Sequence, residues 1–222
     1  MDTVSQTAYG DGLRERPRVA LVTGPSGAGK SYLQNRLVRE SGDRLLAVCT
    51  DALFREATRI ALPLLARHCS VNSVLEATQS LPIDWTESIR RTAWELRLDP
   101  GKPLVVAGIH LRNPRWRGPL LEGLGVSPER ETRMFVILPP AEALLAQRQQ
   151  GHEFHRRHAS LAACLDCTMM TERLLLTSPP GCAVDRVASS DEAIIAIRRF
   201  LLGPSADVGA AHPELSSGSA SS

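Results

Sequence analysis

Four short apolar runs punctuate the chain: Val19–Thr23, Leu45–Cys49, Leu104–Ala107 and Met134–Leu138, with a weaker fifth at Ala183–Val187. Each is short and bounded by turn-forming residues, the signature of a strand buried on both faces. Between them, apolar residues recur at helical spacing. That spacing predicts helices over Ser31–Arg39, Glu56–Arg67, Val71–Thr78, Asp84–Arg97, Ala141–Gln149, Leu161–Leu176 and about Ser190–Leu202. Asp84 stands three residues before Glu87, and Ser189 three before Glu192, so two of these helices begin with cap-like pairs. Strands alternating with helices imply an α/β fold: a five-stranded, mainly parallel sheet with helices on both faces. In such sheets ligands bind at the carboxyl ends of the strands.

The flanks read differently. Residues 1–16 are polar and contain glycine, as in a loose leader, and residues 204–222 are small and polar, the composition of a disordered tail. The remainder, 17–203, is the length of one domain. The apolar fraction, 43%, suffices for a core, and the net charge of +2 makes no strong case for nucleic acid or an anionic membrane. There is no run of membrane-spanning length and no signal-peptide pattern, so the chain reads as soluble and cytoplasmic. Five cysteines, an odd number, argue for reduced thiols rather than a disulfide framework. Basic side chains are arginine everywhere except at Lys30 and Lys102.

Lys30 closes the segment "GPSGAGKS", Gly24, Pro25, Ser26, Gly27, Ala28, Gly29, Lys30 and Ser31, which fits G-x-x-x-x-G-K-[ST]. The glycines permit backbone angles other residues resist and keep side chains away. Backbone amides can then form a nest for phosphate oxygens, helped by the positive end of the helix that follows. Lys30 can reach the outer phosphates of ATP, and the Ser31 hydroxyl can bind Mg²⁺. Asp51 follows the second strand. A carboxylate there suits orienting or deprotonating a substrate hydroxyl, holding Mg²⁺ through water, or capping the next helix.

The same segments carry a family resemblance. "GPSGAGKS" followed by "TDALFRE" resembles P-loop small-molecule kinases, and Asp51, Phe54 and Arg55 are similar to a D-x-F-[YF]-[KR] segment of uridine kinase and its relatives. "LVVAGIHL" (104–111) resembles the third-strand segment of 2-phosphoglycerate kinase-like proteins. "FVILPPAEALLAQRQQG" and "VDRVASSDEAIIAIRRFL" resemble the fourth strand and last helix of the chloramphenicol phosphotransferase-like group. The resemblance implies a P-loop NTPase fold, three layers α/β/α, with an arginine-bearing helical lid over about 148–160. It implies transfer of the γ-phosphoryl group of ATP, with Mg²⁺, to a hydroxyl of a small molecule. One position departs: many of these kinases place an acid where Ala107 stands. That keeps open a nucleotide-binding regulator, or an ATPase, without phosphotransfer. No guanine-reading N-K-x-D segment and no L-S-G-G-Q-like signature is present.

Arg148, Arg156 and Arg157 occupy the place of the lid, where a guanidinium fork suits migrating phosphoryl charge; a solvated basic helix surface is the plainer reading. Cys164 and Cys167 share a face of a helix, more in keeping with buried thiols than with zinc, although His152, His155 and His158 lie nearby. "HLRNPRWRGP" (110–119) reads as a loop after the third strand. His110 and Arg112 there, with Arg55, are candidate contacts for an acceptor, and the arginines suit an anionic one. His110 equally suits a strand-closing role. The Arg–Trp cluster could grip single-stranded nucleic acid, a reading the near-neutral charge disfavours. Trp85 and Trp94 are expected in the core or a groove wall. A homodimer is compatible with all of this.

Overall fold

The computed structural model describes residues 17–62, 83–127, 130–151, 153–178 and 180–203. The leader 1–16, the tail 204–222, the helix predicted over Val71–Thr78 and His152 lie outside them. The chain runs β1 (Val19–Thr23), α1 (Lys30–Ser41), β2 (Leu46–Cys49), α2 (Thr50–Ala61), α3 (Trp85–Glu95), β3 (Leu104–Ala107), a 3₁₀ turn (Ile109–Arg112), α4 (Pro114–Gly123), β4 (Thr132–Ile137), α5 (Ala141–Gln150), α6 (Glu153–Arg157), α7 (Leu161–Thr177), β5 (Ala183–Val187) and α8 (Ser190–Leu202).

The five strands form one sheet in the order β2-β3-β1-β4-β5, and every pairing is parallel. The expectation of a mainly parallel sheet is thus met in full. β1 lies at the centre, with all five residues buried. The period of two sorts its side chains: Val19 and Leu21 join one hydrophobic layer with α2, α3 and α4, while Ala20 and Val22 join the other with α1, α5 and α8. The chain crosses over β1 between β3 and β4, which opens a crevice at the carboxyl ends of the central strands.

Local chemistry starts several helices, at the expected caps Asp84 and Ser189 and also at Ser160. Asp84 accepts the Glu87 amide at 2.9 Å, Ser160 the Ala163 amide at 3.2 Å, and Ser189 the Glu192 amide at 3.1 Å. Glu192 returns a carboxylate to the Ala188 amide at 2.8 Å, a near relative of the capping box.

Two expectations need correction. α2 begins at Thr50, six residues before the predicted start, because Leu53, Phe54 and Ala57 already form its buried face. The segment expected as a loop, 110–119, is the 3₁₀ turn followed by α4. Asn113 caps α4 by accepting the Arg115 amide at 3.0 Å, and Pro114 sits at its first position, where a missing N–H costs nothing. Trp116 and Leu120, one turn apart, are buried.

Candidate functional site

The turn between β1 and α1 lies at the carboxyl end of the central strand, and its shape depends on glycine. Gly29 caps α1 at φ 80, a left-handed conformation, and Gly24 has φ 151. Space is as limiting as angle. A β-carbon on Gly24 would strike the Ile137 carbonyl, and one on Gly29 would strike Ser190 Oγ. Ser190 Oγ itself donates to the Ala28 carbonyl at 3.0 Å, so the first turn of α8 braces the loop from behind.

Lys30, the first residue of α1, turns back over the loop. Its ammonium donates to the Gly24 carbonyl at 3.0 Å and the Pro25 carbonyl at 2.7 Å. Desolvation pushes its pKa down to about 8; the Asp51 carboxylate and the Cys49 thiol act in the opposite direction, and the Arg112 and Arg148 guanidinium groups deepen the fall. Ser31, the second residue of α1, is exposed.

Arg148 is buried in the last turn of α5. Its Nε donates to the Ser26 carbonyl at 3.0 Å and one terminal nitrogen donates to the His158 carbonyl at 3.3 Å. It therefore fastens the glycine loop to the segment following α6. His155, on α6, faces the same loop, with Nδ1 3.5 Å from Ser26 Oγ. Arg156 and Arg157 are exposed on α6, and Arg157 pairs with Glu153 one turn away. The three arginines expected to act together are thus divided: one is a buried clasp and two face solvent.

Asp51 is the second residue of α2, so the capping reading fails: Cys49 holds the cap position without a side-chain bond. Its carboxylate lies 3.3 Å from His110 Nδ1. The same nitrogen lies 2.9 Å from Thr50 Oγ1, so His110 Nδ1 faces both a carboxylate, which accepts, and a hydroxyl, which can donate or accept. This contact holds the Asp51 carboxyl below the ordinary carboxylate range, with His110 the largest cause and Lys30 and Arg55 adding to it against desolvation. His110 is buried against Phe54, ring centroids 4.7 Å apart, and its Nε2 has no partner among the described residues. The structure places His110 beneath Asp51 rather than in open space. Thr50 packs where a side chain on Gly108 would lie, which lets the start of α2 approach the end of β3.

Arg112 is half-buried and donates to Thr171 Oγ1 of α7 at 3.0 Å; burial lowers its pKa. Arg55 is exposed. Trp116 is buried with Phe54 and Trp85 in an edge-on aromatic cluster, so it is not presented to a nucleic-acid base. Arg117 is buried on the carbonyls of Leu111 and Ser178. Trp94 is 82% exposed and lines a shallow cleft at the opposite, amino end of the strands. Cys164 is in the core and Cys167 is half-buried; no cluster of three or more His, Cys, Asp or Glu suited to a metal occurs among the described residues. No helix among them is long and apolar enough to cross a membrane.

The donor set fits a polyphosphate. The glycine turn is a cradle that β-carbons would obstruct, and Lys30 and two arginines converge on it against the Asp51 carboxylate. Ser31 and Asp51 are oxygen donors of the kind Mg²⁺ takes together with retained water. Thr50, Thr171 and Ser190 were not singled out by sequence; each acts through a partner 59 to 162 positions away. Only a three-dimensional arrangement reveals such pairs.

No protein-family model matches the chain, and no curated protein matches it. Solved structures with a similar course include a gluconokinase from Sinorhizobium meliloti 1021, 18% identical, with 85% of this chain and 96% of that one covered and a TM-score of 0.44. A sugar kinase from Janibacter sp. HTCC2649 is 20% identical over 88% and 99% of the two chains, with a TM-score of 0.48. A shikimate kinase from Acinetobacter baumannii in complex with shikimate is 16% identical over 84% and 93%, with a TM-score of 0.46. At this distance the likeness carries no argument about activity; the fold rests on the strand order and the glycine turn described above.

Proposed function

We propose that the chain is an ATP-dependent kinase acting on a hydroxyl of a small molecule. The observation that carries this reading is the convergence on one sheet edge of the glycine cradle, the desolvated Lys30 ammonium and the fastened Asp51 carboxylate. When bound, ATP supplies the group transferred and Mg²⁺ the charge that neutralises its oxygens. Ser31 would hold the metal, with Asp51 contributing through water. Lys30 neutralises charge on the outer phosphates. Asp51, ionised at neutral pH and held by His110, accepts a hydrogen bond from the acceptor hydroxyl and fixes its direction of attack. Its low pKa makes it a positioner before it is a base. Arg112 and Arg55 flank Asp51 and Lys30 and favour an acceptor that carries negative charge. Arg156 and Arg157 are exposed on α6, where Arg157 pairs with Glu153; closure of that segment would carry both toward migrating charge.

The test is a phosphorylation screen of a metabolite library read by mass shift, with wild type, Lys30→Ala and Asp51→Ala. Lys30→Ala is expected to weaken nucleotide binding, and Asp51→Ala to spare it while abolishing transfer. Full turnover by the Asp51 variant would remove that residue from the reading.

One observation favours a second reading. Ala107 ends β3 buried in the apolar layer, so the acid many kinases carry there is absent. A nucleotide-binding regulator needs no such acid. Binding of ATP with neither hydrolysis nor a phosphorylated product in the same screen would select it.

A further inference from the structure

The outward face of α7 takes no part in the site. It carries Leu161, Leu165, Met169, Met170 and Leu176, which are 42 to 72% exposed. These side chains present roughly 500 Å² of apolar surface on one helix, as large as the largest patch on a typical monomer. Glu172 within the stripe is half-buried; two charges beside it, Asp166 and Arg173, are exposed, and their placement is symmetric. Asp166 lies three residues before Met169 and Arg173 three residues after Met170. Seven positions apart, they share one line of the helix, about 10 Å from each other along its axis. Both are exposed, and among the described residues neither has an ion-pair partner within the chain.

We infer that this face pairs two copies of the chain, α7 against α7, antiparallel about a two-fold axis between Met169 and Met170. A two-fold contact exchanges residue i with residue j and j with i. With the axis there, Asp166 of each copy meets Arg173 of the other, and the methionines meet across the axis. Two copies cover about 1,000 Å² from the apolar side chains alone, near the lower bound of a specific interface before the charged rim is added. A parallel pairing would set Asp166 against Asp166 and Arg173 against Arg173, and a partner without this charge order would leave the pair unanswered. Thr171, which holds Arg112, projects from the opposite side of the same helix, so the pairing leaves the site open.

The test is sedimentation equilibrium of the full chain from 1 to about 100 μM, a range that spans ordinary dimer affinities. Wild type is expected to dimerise. Asp166→Arg alone sets arginine against arginine at both contacts, and Arg173→Asp alone sets aspartate against aspartate; each is expected to weaken association at least tenfold. The double reversal, and an equimolar mixture of the two single variants, are expected to restore it, which also shows that the single variants are folded. A wild type that stays monomeric throughout, single reversals that associate as wild type does, or a mixture that does not recover would each overturn the pairing.

Discussion

Replacing Gly29 by alanine tests the cradle without touching a charged group. Gly29 is left-handed at φ 80, ψ 15, a conformation that costs an L-residue about 1–2 kcal/mol. Its new β-carbon would also overlap Ser190 Oγ, so that hydroxyl must leave the Ala28 carbonyl it now meets at 3.0 Å. Losing a buried hydrogen bond and stranding its acceptor adds about 1–3 kcal/mol. The stiffer unfolded chain returns about 0.4–1 kcal/mol. The net expectation is a loss of about 2–4 kcal/mol, a fall in the urea midpoint at unchanged slope.

The two causes separate in a double-mutant cycle. Ser190→Ala alone forfeits only the hydrogen bond. In its background Gly29→Ala keeps the backbone cost but loses the collision, because Ser190 Cβ lies 3.4 Å from the new carbon, a tight but tolerable contact. The double variant should therefore be about 1–2 kcal/mol better than the sum of the singles. Denaturation curves for the four proteins decide it. A Gly29→Ala variant within about 0.5 kcal/mol of wild type, or a cycle that adds within that margin, refutes the packing described for this turn.

Three further outcomes follow from the same geometry. Lys30 has a folded-state pKa of about 8, below its ordinary value near 10.4, so its charge opposes folding below pH 8 and that cost fades as pH rises to 10.4; Lys30→Met should be the more stable protein at pH 7, with an advantage that shrinks across this window, and should lose binding of tripolyphosphate by calorimetry. Arg148→Ala should destabilise by about 3 kcal/mol, since the Ser26 and His158 carbonyls lose a buried charged donor, and Arg148→Lys should recover only part because one ammonium cannot span both; thermal melts of the two variants measure this. His110→Phe keeps the ring on Phe54 but removes the imidazole contact that depresses Asp51, so the Asp51 carboxyl should titrate at higher pH by carbon-13 NMR, and the stability that wild type loses as pH falls through the depressed value should be lost earlier; an unmoved titration would assign the depression to Lys30 and Arg55 instead.

The difference between what sequence discloses and what only the fold discloses is a difference in range. The central strand and the glycine turn were legible because the signal is local: five consecutive residues buried on both faces, then glycines where no β-carbon fits. β5 was weaker for a physical reason, since it lies at a sheet edge and only Val187 of its five residues is buried. α4 was hidden because proline, glycine and arginine in "RNPRWRG" read as a breaker, although Asn-Pro is a good helix start and Trp116 and Leu120 repeat at one turn. Sequence groups Arg148 with Arg156 and Arg157 in a lid, but its burial follows from a contact 122 residues away, and nothing local distinguishes it from the other two, which are exposed. The contact between Asp51 and His110 spans 59 positions and depends on Gly108 yielding space to Thr50.

That last arrangement bears on how the missing acid at position 107 affects the site. Ala107 faces the apolar layer with Val22 and Ala28, and the next residue is closed off by Thr50, so the end of β3 brings no charge to the cradle. Asp51 is the carboxylate set against Lys30, and half of its attention is taken by His110. Lys30, Arg112 and Arg148 therefore act on one another around the Asp51 carboxylate, and the pKa of Lys30 is depressed first by desolvation and further by the two guanidinium groups, against Asp51 and Cys49. A desolvated cation beside other cations at the carboxyl end of a strand is a candidate ligand site. The surplus is positive, it surrounds a turn that glycine keeps open, and it lies at the carboxyl end of a parallel sheet. A polyanion satisfies all three conditions at once, and a neutral or cationic ligand satisfies none of the electrostatic ones.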